Sequence, residues 1–165
     1  MERLESWLAR ATRAIALAAV CALLALAALT VADVLGRYLL GKPIRGFSDI
    51  ASLGTAVIVA AFFPALLARR GNIALRAGRR LLGRTGARVL DTFGALLTAA
   101  FFALMAWQYA RYAAEASQAG ERMAVRAWPV GPWWWAVTVL IGITAVVGVL
   151  MTVLDAAGRR PDEDA

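Results

Sequence analysis

The sequence predicts an all-α polytopic membrane protein: four transmembrane helices plus short interfacial amphipathic helices, in a single membrane domain of 165 residues. Composition and patterning carry this expectation. Apolar residues make up 61% of the chain and the mean hydropathy is +0.66. They gather in four windows free of Asp, Glu, Lys and Arg, from Ala14 to Ala32, Ile50 to Ala68, Thr92 to Ala110 and Ala127 to Leu154. Each window approaches or exceeds the ~20 residues that, at ~1.5 Å per residue, cross a ~30 Å hydrocarbon layer. A spanning backbone must satisfy its own hydrogen bonds, and Leu/Ala/Val runs without strand-like alternation do so as helices rather than as a barrel.

The N-terminal segment reads as a helix lying on the membrane surface over residues 3–13. Leu4, Trp7, Leu8 and Ala11 recur at i, i+3, i+4 and i+7, while Glu2, Glu5, Arg10 and Arg13 occupy the other faces. The first span follows over about 14–36. Basic residues precede it, as in a secretory signal, but Glu2 and Glu5 dilute that charge and the apolar run exceeds the ~7 to 15 residues of a signal core. It is expected to be retained. Cys21 lies inside it without a second cysteine, so the chain has neither a disulfide framework nor a redox pair.

Between the first two windows the chain reads DVLGRYLLGKPIRGFSDI, residues 33–50. Asp33 and Arg37 are four apart, so a continuing helix places them on one face with the acid N-terminal. Tyr38 beside Arg37 suits the membrane boundary, where both side chains reach headgroups. Gly41 and Pro43 should end the helix, with Ser48 as N-cap and Asp49 in the first turn of the second span, 49–68.

The connection 69–88 holds seven of the chain's basic residues. Within it Leu75 and Leu82 share a stripe with Val89, Arg79 sits at the edge, and Arg76, Arg80, Arg84 and Arg88 supply a wet side, the pattern of a surface helix on lipid headgroups. A net charge of +7 could suggest nucleic acid. A basic segment tethered at both ends to spans instead faces membrane lipids, and no nucleic-acid partner is expected. The third span is expected over 90–112. The fourth, 132–154, is introduced by WPVGPWWW, in which Pro129 and Pro132 provide a lead-in or first turn. Trp128, Trp133, Trp134 and Trp135 form one side of an aromatic belt or a rigid partner surface. An acidic tail occupies 155–165.

Basic residues set the orientation. Three at the N-terminus, seven in 69–88 and two at the C-terminus fall on one side, twelve in all, against six in the other two connections. Both termini are therefore expected in the cytoplasm and residues 38–48 outside.

Acids and bases inside a membrane mark ion paths, and these windows have none, so the chain alone is not expected to be an ion-coupled carrier or a proton-coupled multidrug exporter. With no His and one Cys it lacks the usual haem ligand and a thiol pair. No enzymatic constellation, cofactor site or metal site is visible. Small residues four apart, Ala18 with Ala22, Ala56 with Ala60 and Gly148 with Thr152, suit close helix contact within the chain or with a partner.

The order of these features resembles the small membrane subunit (DctQ type) of tripartite ATP-independent periplasmic (TRAP) transporters. The carrying residues are Arg37 and Tyr38 at the end of the first helix, Pro43 and Phe47 in the loop and Asp49 opening the second. The run LLARRGNIAL and the opening WPVGPWWW complete the set. Two positions depart from that family: Ser48 stands where a second acid is usual, and Gly71, Asn72, Ile73 replace a Gly-(x)-His-Ile turn, where Asn72 retains hydrogen-bonding capacity. The resemblance implies an inner-membrane, non-enzymatic subunit beside a large TRAP permease subunit and a periplasmic substrate-binding protein. It implies sodium-driven uptake of an organic acid, with the substrate and sodium sites in the large subunit. Arg37, Tyr38, Asp49 and the loop to Trp135 would then face the periplasm. The residues alone also suit a free-standing structural or assembly membrane protein.

Overall fold

The computed structural model describes residues 2–42, 44–68, 73–125 and 127–156, with side chains given for fewer. Four helices account for most of it: α1 (Glu2–Leu40), α2 (Phe47–Ala68), α3 (Ile73–Gln118) and α4 (Gly131–Ala156). Each contains a stretch long and apolar enough to cross a membrane, Arg10–Leu40, Phe47–Leu67, Thr92–Gln118 and Gly131–Leu150. No strand occurs among the described residues, only an isolated antiparallel bridge between Arg122 and Pro129.

The amphipathic stretches are extensions of the spanning helices. Residues 3–13 run without a break into α1, since no Gly or Pro separates Arg10 from Ala14, and 73–88 form the first turns of α3. Residues 69–72, including Asn72, lie outside the described residues. At ~1.5 Å per residue α1 and α3 are about 58 and 69 Å long, roughly twice a ~30 Å hydrocarbon layer. Helix α3 also continues to Gln118, beyond the expected 112, because its polar last turns meet no breaker before Gly120.

Among the described residues α4 packs on both α2 and α3, and α1 packs on α2. The helices therefore stand in the order α1, α2, α4, α3, with α1 and α3 at the two ends. Ala60, Val137 and Ile141 form the main core, closed by Phe63, Phe102, Met105, Ala106, Tyr109 and Trp134. Phe63 and Phe102 bring α2 and α3 together, with ring centroids 5.4 Å apart. A second cluster, Ala19, Ile58 and Ala61, seats α1 on α2.

Without a hydrophobic drive between helices in lipid, this assembly relies on close approach of small residues. Gly148 provides it, since a Cβ there would stand 3.3 Å from the Ala99 Cα. Ala56 and Ala60 also face the core, but Ala18 and Ala22 point outward, and it is Ala19 between them that meets α2. Thr12, Ala19 and Asp33 are buried and Leu26 is half-buried. Their seven-residue spacing is the 3.5-residue repeat of a narrow helix-helix seam.

Candidate functional site

The antiparallel order of the helices places the α1–α2 and α3–α4 connections at one end of the bundle, and each is built from specific side-chain and backbone bonds. Helix α1 ends where Gly41 turns left-handed (φ 62°). The Lys42 amide then returns to the Gly36 carbonyl at 3.2 Å. Gly36 permits this return, because a Cβ would lie only 3.2 Å from the Lys42 carbonyl oxygen.

The chain next passes over Asp33, which is 3% exposed and uses both carboxylate oxygens. Arg37 Nη2 donates to Oδ2 at 2.9 Å, and the Ile44 amide donates to Oδ1 at 2.7 Å. The ion pair is asymmetric, since the Arg37 side chain is 68% exposed and that of Asp33 only 4%. A buried carboxylate is tolerated when its lone pairs are taken, and Asp33 holds both a cation and the backbone of the loop.

Helix α2 begins one residue before the expected cap. Gly46 is left-handed (φ 77°), and its carbonyl accepts the Ile50 amide at 3.3 Å. Gly46 thus occupies the cap position and exposed Ser48 lies inside the first turn. Asp49 also lies in that turn, where the helix dipole favours a carboxylate. Its Oδ2 accepts the Val125 amide at 2.8 Å and so fastens the α3–α4 connection to α2. Pro43 lies outside the described residues, and Tyr38 points away from the joint at 87% exposure.

Helix α3 closes in a Schellman motif around Gly120 (φ 64°), with Glu121 donating to the Ala116 carbonyl at 3.1 Å and Gly120 to Ser117 at 3.3 Å. The following loop folds back on itself. Met123 donates to Trp128 at 2.8 Å, Val130 to Glu121 at 3.0 Å and Ala127 to Met123 at 3.0 Å. Ala127 takes the left-handed region at φ 53°, and the Met123 side chain is buried beneath.

Helix α4 starts at Gly131, which is buried against Ser117 of α3; a Cβ at Gly131 would collide with the Ser117 Oγ. Exposed Pro132 occupies the second helical position, where its missing amide costs no hydrogen bond. The four tryptophans differ in role. Trp128 and Trp135 are partly exposed, Trp133 is half-buried, and Trp134 packs against both tyrosines of α3. It stacks on Tyr109 at 5.9 Å and meets Tyr112 edge-on at 4.9 Å.

The sequence pattern placed Asp33 and Arg37 together but did not anticipate the bond to Ile44, the reach of Asp49 to Val125, or the Gly131–Ser117 contact. The left-handed glycines at 41, 46 and 120 were the available signals for where the loops turn. Chemically this end is a joint, with Asp33 and Asp49 each holding a loop amide. Among the described residues the buried polar side chains are Thr12, Asp33 and Thr144, and the Thr144 hydroxyl donates to the Leu140 carbonyl at 2.9 Å. No group of three or more His, Cys, Asp or Glu among the described residues could hold a metal ion.

Comparison with known proteins gives one family. The model described as "Tripartite ATP-independent periplasmic transporters, DctQ component" matches residues 26–158, which include the last turns of α1 and all of α2, α3 and α4. No curated protein and no solved structure matches the chain.

Proposed function

The chain belongs to the DctQ component family of tripartite ATP-independent periplasmic transporters, and on that premise we propose that it is the non-conducting scaffold of such a transporter. It is a small membrane subunit that widens the stationary frame of a large permease. The permease takes up an organic acid under a sodium gradient, and a periplasmic binding protein delivers the substrate. The hairpin end, carrying Arg37, Tyr38, Asp49 and Trp128, faces the periplasm, and both termini face the cytoplasm.

The observation that supports a scaffold is the use made of Asp33. It is the buried ionisable side chain among the described residues, and it is consumed by Arg37 and Ile44 in closing a hairpin. A coupled carrier keeps such a group available to its ion. The helix faces otherwise present Leu, Val, Phe and Trp outward, surface for lipid and for packing against a larger subunit.

Reconstitution tests this function. Liposomes holding this chain alone should show no organic-acid uptake under a sodium gradient. The chain should co-purify with a large permease subunit, and omission of the chain should abolish uptake by the complex. Substrate-dependent sodium flux through the isolated chain would refute the scaffold role, and full-rate transport by the permease without it would show the subunit to be dispensable.

A further inference from the structure

At the hairpin end of α3, Met105, Gln108, Tyr109 and Tyr112 follow one another at i, i+3, i+4 and i+7 and face Trp134 of α4 across an open groove of about 420 Å³. Trp134 forms a wall of it, stacked on Tyr109 and edge-on to Tyr112. Met105 lies against the main core, while Gln108 and Tyr112 are exposed.

Two features distinguish this groove from an ordinary lipid-facing surface. The first is its depth. Counting the ~20 residues of a membrane crossing from Thr92, the hydrocarbon ends near residue 111. Tyr112 then stands at headgroup level, and Gln108 and Met105 lie one and two turns inside. The second is its polar ends. The Gln108 amide and the hydroxyls of Tyr109 and Tyr112 have no hydrogen-bond partner among the described residues, although an amide facing hydrocarbon is costly when unpaired.

Arg111 follows Gln108 at i+3 on α3 and is not itself among the lining residues. Its guanidinium lies 5.3 Å over the Trp107 ring and only loosely meets Glu115, at 3.6 Å. The groove is thus apolar and sulfur-lined at its deep end and carries donors at its shallow end, and the nearest cation in sequence, Arg111, is one turn along α3 from Gln108.

We infer that this groove binds a single phospholipid of the leaflet at the hairpin end. One acyl chain lies along Met105 and the rings of Tyr109, Tyr112 and Trp134. The ester carbonyls and phosphate accept hydrogen bonds from Gln108, the tyrosine hydroxyls and Arg111. A packed helix from another protein would match the apolar deep end but would leave these donors unpaired, whereas an anionic amphiphile matches both ends.

The test uses the full chain purified in mild detergent and supplied with phosphatidylglycerol, with retained lipid counted by native mass spectrometry. The wild type should hold one lipid. The variant Gln108→Leu/Arg111→Gln/Tyr112→Phe, which alters exposed side chains, should lose it while keeping its helical content and its thermal midpoint in lipid-free detergent. With brominated acyl chains, Trp134→Phe should remove a quenched component of the tryptophan fluorescence.

Equal retention by wild type and triple variant overturns the inference, as does quenching that Trp134→Phe leaves unchanged. It is also overturned if a Cys at position 108, in a Cys21→Ala background, cross-links to the co-expressed permease in a complex that retains no lipid. These arms read the isolated chain or its contacts, so failed transport does not affect them.

Discussion

The Asp49 carboxylate in the first turn of α2 accepts the backbone amide of Val125 at 2.8 Å, joining residues 76 positions apart. Asp33 performs the same task within its own hairpin, holding the Ile44 amide. Two acids 16 residues apart thus fasten both connections at this end of the bundle.

Replacing Asp49 with Ala should free the 121–130 loop. A hydrogen bond to a charged group is worth about 1.5–3 kcal/mol, and partial exposure places this one at the lower end. Asp49→Asn keeps an acceptor and should cost less. Amide hydrogen exchange at Val125 measures the contact directly. An unchanged exchange rate in the Ala variant would show that the loop is held by other bonds.

Asp33 and Arg37 should not be equivalent on substitution. Arg37→Ala removes a mostly solvated guanidinium and leaves Asp33 bonded to Ile44, a loss of about 1 kcal/mol. Asp33→Ala removes the ion pair and the loop bond from a buried position, and should cost about 3 kcal/mol. The double Ala variant should be no less stable than Asp33→Ala, because among the described residues Arg37 bonds to Asp33 alone. Thermal unfolding in detergent orders the three variants, and a more damaging Arg37→Ala would contradict the assignment of the loop bond.

The helices were legible in the sequence because charge-free windows of spanning length admit one regular structure in lipid. The Asp33–Arg37 pair was legible because its spacing is local to one helix. The bonds from Asp33 to Ile44 and from Asp49 to Val125 were not, since they depend on how the chain folds back, and no periodicity encodes which amide a carboxylate will meet. Ser48 looked like a cap because Ser favours that position. Gly46 occupies it because the chain enters α2 from a left-handed turn, a conformation glycine adopts without strain. The tryptophans read as an aromatic belt or a partner surface by composition, yet Trp134 is committed to the tyrosines of α3, a distinction set by the packing of α4.

Gly131→Ala should loosen the start of α4. The new methyl group would collide with the Ser117 Oγ, and overpacking at a buried contact typically costs about 1–3 kcal/mol. Ser117→Ala should be mild, because among the described residues the hydroxyl bonds only to the Ala113 carbonyl within its own helix at 2.6 Å. Combined with Gly131→Ala it should recover part of the loss, though the methyl would still stand 3.3 Å from the residue 117 Cβ. A thermal-shift cycle over the four proteins measures this coupling. Simple additivity would mean that α3 and α4 do not meet at this pair.

The expected orientation of the bundle rests on charge and is testable at the two hairpin connections and the C-terminus. Twelve basic residues belong to the termini and the 69–88 segment, against six in the two hairpin connections, and short connections rich in Lys and Arg remain in the cytoplasm. The Asp49–Val125 bond adds a constraint, since it requires both hairpins to lie on the same side. A single Cys at Lys42, in a Cys21→Ala background, should therefore react with a membrane-impermeant maleimide added from outside. A Cys at Glu121 should label from that side as well, and one at Arg159 only after the membrane is opened. Labelling at 42 from the cytoplasmic side alone would invert the bundle. Labelling of 42 and 121 from opposite sides would break the shared hairpin end on which the Asp49 contact depends.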